Sequence, residues 1–199
     1  MRFLPGHATT IVYTSNVFEN ILESLYLFLP AYVANMAPVF AKRFTLFPTL
    51  ACPLDRGMML AGQPFLGPHK TVRGVLTGVL AGIATAALQR FLAERSAFFS
   101  GISSEPHFAL SALVWGGALG GGALLGDLVK SFLKRRFGIP SGQRWIPWDQ
   151  LDYALGGLLV GSLVYPFSWQ MTAVILIATP LLGLLVNMIG YVLSMKEAW

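Results

Sequence analysis

The chain has 199 residues, of which 55% are hydrophobic and only 12% are charged. Soluble domains carry about 25% charged residues, so this composition excludes an ordinary soluble protein and indicates one membrane domain with several spans. The single cysteine, Cys52, excludes an internal disulfide bond, and the sequence has no metal–thiolate spacing.

Five apolar segments predict transmembrane helices, because the core of a bilayer is crossed by about 20 helical residues. In chain order they are about 18–40, 72–93, 107–129, 151–167 and 170–194. We therefore predict an all-α integral membrane protein with about five transmembrane helices. Residues 1–17 form an N-terminal extension without the pattern of a cleaved signal peptide, and residues 18–199 form a single domain.

The distribution of lysine and arginine predicts the orientation of these spans. With the N-terminus outside and the C-terminus inside, the outer side holds three cations, Arg2, Arg90 and Arg95, and the inner side holds the other eleven. The basic loops 41–71 and 130–149 then face the cytoplasm of a multi-pass plasma-membrane protein. Topology also accounts for the net charge of +5, and no nucleic-acid partner is predicted.

Glycine recurs at helical spacing inside two of the spans. Gly74, Gly78 and Gly82 lie four residues apart, and residues 116–126 hold six further glycines. Small residues at this spacing let helix backbones approach closely. We interpret the glycines as packing positions that make a rigid frame, rather than as ligand contacts.

Three aspartates are prominent in a chain with few charges. Asp127 lies near the end of the third span, where an ionisable group is a functional hypothesis by default; an ion pair with Lys130 is the alternative. Asp149 and Asp152 share one face of a predicted first helical turn and suit a hard cation such as Mg²⁺. Helix capping by Asp149 is the alternative there.

Cations surround these carboxylates in the sequence. Lys130, Lys134, Arg135 and Arg136 follow Asp127, and as a cluster alone they would be a solvated topological anchor. Beside carboxylates, the same residues indicate a site for metal and phosphate. A second set precedes the second span, where backbone N–H groups at the helix N-terminus could also bind phosphate; its members are Lys70, Thr71 and Arg73.

No arrangement of side chains in the sequence indicates covalent catalysis. Transfer of a phosphoryl-type group needs positioning and charge stabilisation instead of an enzyme nucleophile. The sequence supplies residues for both purposes.

Six motifs occur in a characteristic order. They are "LPAYVANMAPVF" (29–40), "PLDRG" (53–57), "LGPHKTVRG" (66–74), "LLGDLVKSFLKRRFGIPSG" (124–142), "WDQLDYALG" (148–156) and "TPLLGLLVNMIGY" (179–191). With them the chain resembles the CDP-archaeol synthase family, which is related to the phosphatidate cytidylyltransferases. The resemblance covers most of residues 29–199.

The resemblance implies that a membrane cytidylyltransferase transfers CMP from CTP to a lipid phosphate, giving CDP-lipid and pyrophosphate with Mg²⁺. It implies that Asp127, Asp149 and Asp152 are catalytic and hold the metal, and that Lys134 is also catalytic. Asn35 is expected to line the site, with an interhelical hydrogen bond as the alternative. The residues expected to bind CTP or lipid phosphate are Lys70, Thr71, Arg73, Lys130 and Arg135.

The sequence departs from the family pattern in its N-terminal extension and at two single positions, and these departures concern the acceptor. Val72 stands where an aromatic residue is expected, and Gly183 stands where histidine is expected. An isoprenoid glycerol phosphate related to archaeol is favoured, with phosphatidate or another lipid phosphate as alternatives. A transporter or scaffold whose basic loops only set topology is the alternative from another functional class.

Overall fold

The computed structural model describes residues 17–103 and 109–192, and most of them are helical, as predicted. Residues 1–16 of the N-terminal extension and the last seven residues lie outside this part. A short hairpin over residues 59–64 accompanies the helices. The elements are α1 (Val17–Leu27), α2 (Leu29–Arg43), a 3₁₀ turn (Pro48–Leu50), β1 (Met59–Leu60), β2 (Gln63–Pro64), α3 (Val72–Arg95), α4 (Ala97–Gly101), α5 (Ala112–Arg136), α6 (Trp148–Gly161) and α7 (Trp169–Val192).

The first predicted span is broken, so the prediction of one helix over 18–40 is wrong. Helices α1 and α2 meet at Phe28 with a bend of 46°. Pro30 lies in the first turn of α2, where it lacks the N–H that would bond the Tyr26 carbonyl. The Gln89 side-chain amide of α3 donates to that carbonyl instead. The bend is therefore held by a different helix.

Glycine brings the central helices into close contact, as the sequence predicts. A Cβ atom on Gly78 would lie 2.8 Å from the carbonyl oxygen of Ala34, and one on Gly82 would lie 2.8 Å from that of Gly116. These pairs place α3 antiparallel to both α2 and α5. A Cβ atom on Gly122 would lie 2.6 Å from the carbonyl oxygen of Gly156, so α6 packs on α5 in the same way.

Two other predicted spans have different boundaries. Helix α5 begins at Ala112, where the Ser111 side chain caps it, and ends at Arg136. Its last turn contains the basic residues Lys134, Arg135 and Arg136. The helix therefore extends past the end of the predicted third span, 107–129, as expected for basic residues that continue a helix into water. The predicted fourth span, 151–167, corresponds to the 14-residue helix α6, which ends at Gly161 and is followed by turns over residues 162–164. Helices α3 and α7 follow the predicted second and fifth spans over the described residues.

Among the described residues, α3 and α5 are long and apolar enough to cross a bilayer, and the bent pair α1–α2 is a third such span if it is counted as one. The count of five spans stays a prediction, as does the orientation. The antiparallel packing places the end of α2, the start of α3, the end of α5 and the start of α6 on one side. We call this side the charged end of the bundle.

Candidate active site

Three carboxylates surround one ammonium group at the charged end. The Lys130 Nζ atom lies 3.1 Å from Asp127 Oδ1, 3.1 Å from Asp149 Oδ1 and 2.7 Å from Asp152 Oδ2. The Asp152 side chain is only 4% exposed and that of Lys130 is 15% exposed. The structure thus brings together the three aspartates that the sequence singled out.

Helix geometry and one glycine produce this convergence. Asp127 and Lys130 are three residues apart on α5, and Asp149 and Asp152 are three apart on α6, so each pair lies on one helix face. A Cβ atom on Gly126 would overlap the backbone carbonyl of Asp152. The missing side chain of Gly126 therefore allows α6 to bring its carboxylates to Lys130.

Two further lysines extend the cluster at its two ends. Lys70 is paired with Asp127. Lys134 Nζ lies 3.0 Å and 3.1 Å from the two carboxylate oxygens of Asp149, and it also donates to the backbone carbonyl of Gln143. We call the six side chains, in which opposite charges neutralise one another, the Lys–Asp chain: Lys70, Asp127, Lys130, Asp152, Asp149 and Lys134.

Arg135, the residue after Lys134 on α5, is a buried cation. Its residue surface is 6% exposed, and in the part of the protein that the structure describes its Nε atom donates to no acceptor. A buried polar group without a partner is costly. Arg135 is therefore suited to receive an anionic ligand.

The structure decides between two pairs of alternatives from the sequence. Pro147 occupies the cap position of α6, and Asp149 lies inside the first turn, where its carboxylate accepts from the backbone N–H of Trp145. Helix capping by Asp149 is therefore wrong. A solvated anchor is also wrong for Lys134 and Arg135, since each is only 6% exposed.

The other predicted site residues, Thr71, Arg73 and Asn35, are not part of the Lys–Asp chain. The Thr71 hydroxyl accepts from the backbone N–H of Gly74 at 3.1 Å and caps α3. Arg73 donates to the backbone carbonyl of Leu46 at 3.3 Å. Asn35 is half-buried on α2, and among the described residues its side chain makes no hydrogen bond, so the alternative of an interhelical bond is not seen.

The sequence is similar to known membrane enzymes over almost its whole length. The family model described as CarS-like, CDP-archaeol synthase, matches residues 17–199. The CDP-archaeol synthase of Archaeoglobus fulgidus is 38% identical over 188 residues, which cover 91% of this chain and 98% of that protein. That of Methanospirillum hungatei is 40% identical over 177 residues, which cover 85% and 98%. The chain belongs to the CDP-archaeol synthase family.

A solved structure agrees with this membership. It is described as giving structural insight into an intramembrane enzyme for archaeal membrane lipids biosynthesis, and it matches with a TM-score of 0.67 and 36% identity over 84% of this chain and 94% of that one. The predicted class, a CTP-dependent cytidylyltransferase of the membrane, is thereby confirmed. The alternative of a transporter or scaffold is wrong.

In this member of the CDP-archaeol synthase family, Asp55 is a structural residue that the sequence analysis did not single out. Its carboxylate accepts from the backbone N–H groups of Gly57, Leu66 and Gly67 at 3.0, 2.8 and 3.1 Å. Partial burial raises the pKa of Asp55, but these hydrogen bonds outweigh burial and hold it below the usual value. The closed loop positions Lys70, whose carbonyl accepts from Leu54 at 2.7 Å. The sequence feature that could have indicated this role of Asp55 is the short Asp-Arg-Gly sequence, which is typical of a turn.

The carboxylates fit the chemistry of a divalent cation. Among the described residues no three acidic, histidine or cysteine side chains form a ready metal site, because the Lys130 ammonium occupies the point where the three carboxylates converge. These oxygen atoms nevertheless already surround a positive charge at about hydrogen-bond distance, and carboxylate oxygen is the ligand that Mg²⁺ prefers. Asp127, Asp149 and Asp152 are therefore the residues that would hold Mg²⁺, and the ion would neutralise phosphate charge there.

Proposed function

We propose that this enzyme transfers CMP from CTP to a lipid phosphate of the archaeol type at the Lys–Asp chain, releasing pyrophosphate. The observation that carries the proposal is the Lys–Asp chain, a set of buried and paired charges at one end of an apolar helix bundle. Relatives named CDP-archaeol synthase, 38% and 40% identical to this protein, support the choice of acceptor.

The lysines of the chain are the proposed ligands of the phosphates. Lys70, Lys130 and Lys134 each pair with a carboxylate, and their ammonium groups can donate to phosphate oxygens instead. Mg²⁺ held by Asp127, Asp149 and Asp152 would supply further neutralisation of the phosphate charge. Arg135, buried and with a free donor, is proposed to hold a phosphate oxygen as well.

The reaction requires no group of the enzyme to be modified. An oxygen of the lipid phosphate attacks the α-phosphorus of CTP, and the bond between that phosphorus and the pyrophosphate oxygen breaks. The leaving pyrophosphate takes the electron pair. The lysines and Arg135 stabilise the charge that develops on the phosphate oxygens, and they also orient the two reactants.

An apolar groove beside this site is proposed to hold a hydrocarbon chain of the acceptor. The groove lies between α2 and α3 and has a volume of about 490 Å³, and its walls include Met36, Phe40, Phe47, Leu80 and Ala81. The Thr77 hydroxyl on its wall donates to the Arg73 carbonyl at 2.8 Å.

The position of the groove relates it to the phosphate site. Arg73, Thr77 and Ala81 are four residues apart and share one face of α3, with Arg73 at the charged end. A lipid whose phosphate lies near Arg73 can therefore extend a hydrocarbon chain along Thr77 and Ala81. This arrangement favours a long-chain lipid phosphate over a small soluble phosphate.

The charged end is proposed to face the cytoplasm. The inner side then carries eleven of the fourteen lysine and arginine residues. A Cys52→Ser protein with Arg144→Cys tests this placement in right-side-out cells or vesicles. We expect the cysteine to resist a membrane-impermeant maleimide until the membrane is opened. Labelling in intact vesicles would show that the charged end faces the outside and would contradict the proposed orientation.

The function is tested with purified protein, Mg²⁺ and CTP labelled at the α-phosphate. An isoprenoid ether glycerol phosphate, phosphatidate and soluble glycerol phosphate serve as acceptors. We expect labelled CDP-lipid with the ether lipid and none with Asp127→Asn, while Glu94→Gln, a control at the exposed end of α3, keeps full activity. Faster transfer to phosphatidate than to the ether lipid would identify phosphatidate as the acceptor instead. Absence of transfer to every lipid would contradict the proposed function.

A further inference from the structure

A short hairpin projects from the loop between α2 and α3. Strands β1 and β2 pair Met59 with Pro64 and Leu60 with Gln63. The two turn residues, Ala61 and Gly62, have φ values of 49° and 76°, which is the left-handed conformation that tight hairpins require. Its tip therefore has a defined shape.

Arg136 fastens this hairpin to α5. Its guanidinium donates to the carbonyl oxygens of Leu60 at 2.6 Å, Pro64 at 2.6 Å and Gln63 at 3.4 Å. The same group lies 5.2 Å from the centroid of the Phe132 ring. Phe65 packs on Phe132 with ring centroids 5.0 Å apart. The hairpin is thus held by the side chains of a single helix face.

That face of α5 is the one that meets hydrocarbon. With 3.6 residues per turn, Phe132 and Arg136 share a face with three large apolar residues. Leu125, Val129 and Leu133 are 48%, 50% and 39% exposed, and on a helix that can cross a bilayer such side chains face lipid. Asp127, Lys130 and Lys134 lie on the other face. The hairpin therefore stands on the lipid side of α5, away from the Lys–Asp chain.

The strand that leads into the tip is apolar and open. Met58, Met59 and Leu60 are 58%, 59% and 46% exposed, and exposed Arg56 precedes them in the chain. Contiguous apolar residues beside a cation are typical of segments that lie in a membrane interface.

We infer that the hairpin inserts the Met58–Leu60 segment into the boundary between lipid head groups and acyl chains, with Arg56 at the level of the head-group phosphates. The partner is the lipid surface itself. Its hydrocarbon covers the two methionines and Leu60, and its phosphates attract Arg56. Arg136 then holds a membrane anchor at the end of α5. This inference does not depend on the proposed reaction.

The test places a nitroxide label on single cysteines in a Cys52→Ser background. The protein is reconstituted in vesicles of phosphatidylcholine and phosphatidylglycerol. Met59→Cys reports the strand, Met58→Cys is a second position, Val129→Cys is the hydrocarbon reference and Arg144→Cys is the aqueous reference. Collision rates with oxygen and with a water-soluble nickel chelate are measured by electron paramagnetic resonance.

We expect the label at Met59 or Met58 to collide several-fold more with oxygen than with the nickel chelate, as at Val129. A ratio equal to that at Arg144 for both positions would overturn the inference. Spin–spin broadening that disappears on dilution with unlabelled protein would identify a second copy as the occupant, and this would overturn it as well. Adding Arg136→Gln should increase collisions of the Met59 label with the chelate; unchanged collisions would refute the anchoring role of Arg136.

Discussion

Gly126 lies so close to Asp152 that a single methyl group on the glycine would occupy the space of the aspartate's carbonyl oxygen. The contact joins the helix that carries Lys130 to the helix that carries two of its three carboxylate partners. The alignment of the Lys–Asp chain therefore depends on the absence of one side chain.

Gly126→Ala is expected to push α6 away from α5 and to lower both activity and stability. Overpacking a tight contact costs roughly 1–3 kcal/mol, although alanine alone would favour the helix by about 1 kcal/mol. The matched control is Gly121→Ala in the same helix, where a new Cβ meets nothing within 4 Å and where we expect equal or higher stability. Thermal unfolding and CDP-lipid formation are measured for both. Equal behaviour of the two variants would contradict the packing role of Gly126.

Lys130→Met is expected to destabilise the protein, because it leaves three carboxylates close together without their shared cation. Breaking a buried ion pair by removing one partner costs roughly 3–5 kcal/mol. If the carboxylates hold Mg²⁺, added Mg²⁺ should raise the melting temperature of this variant more than that of the unaltered protein. Ca²⁺ and Na⁺ at matched ionic strength are the controls. An equal response of the two proteins to Mg²⁺ would argue against a metal among these carboxylates.

Thr71→Ala is expected to lose the cap of α3, at a cost of about 1 kcal/mol. Thr71→Asn should restore the stability, since asparagine caps a helix as well as threonine does. Activity measured beside thermal unfolding separates capping from substrate contact. If Asn restores both stability and turnover, the hydroxyl serves the helix. If it restores stability alone, Thr71 also contacts phosphate.

Gln89→Leu is expected to leave the Tyr26 carbonyl without its donor in an apolar environment. An unsatisfied buried polar group costs roughly 1–3 kcal/mol, so the melting temperature should fall. Activity per folded molecule should stay unchanged, because Gln89 lies at the far end of α3 from Lys70. Arg90→Gln, on an exposed neighbouring position, is the control for the measurement. A fall in specific activity would show that the bend in the first span affects the active site.

Ala81→Phe is expected to fill the groove between α2 and α3. If the groove holds a chain of the acceptor, KM for the lipid phosphate should rise about tenfold or more, as expected when about 1.4 kcal/mol of binding is lost, while KM for CTP stays the same. Ala87→Phe, on an exposed part of the same helix, controls for the added ring. Equal changes for both substrates would mean that the groove is not a lipid site.

The candidate site was more predictable from the sequence than its surroundings. Charges are rare in an apolar chain, so Asp127, Asp149 and Asp152 were visible as candidates, and helical spacing already placed two of them on one face. The central position of Lys130 was not predictable, because it depends on how closely α6 approaches α5. The docking of Arg136 on the hairpin likewise depends on a contact with residues more than 70 positions away.

The fold differed from the sequence prediction where a local signal competed with overall hydrophobicity. Residues 18–40 are apolar enough for a continuous helix, and Pro30 is tolerated in a first turn, so composition alone did not place a break before it. The prediction made α6 too long for a similar reason, because apolar residues continue past Gly161 although the helix ends there. Hydropathy measures the preference of a segment for lipid and gives no information about where its backbone bends.

Because Gln89 donates to the Tyr26 carbonyl, the effect of a substitution at position 89 depends on the residue at position 30. Pro30 removes the donor that the Tyr26 carbonyl would have in a regular helix, and Gln89 supplies a replacement. A backbone N–H at position 30 would be the regular helical donor for that carbonyl, so we expect the penalties of Pro30→Ala and Gln89→Leu not to add. During divergence of related chains, a lineage that exchanges this proline is then released from keeping an amide at position 89, and the order of the two substitutions becomes constrained.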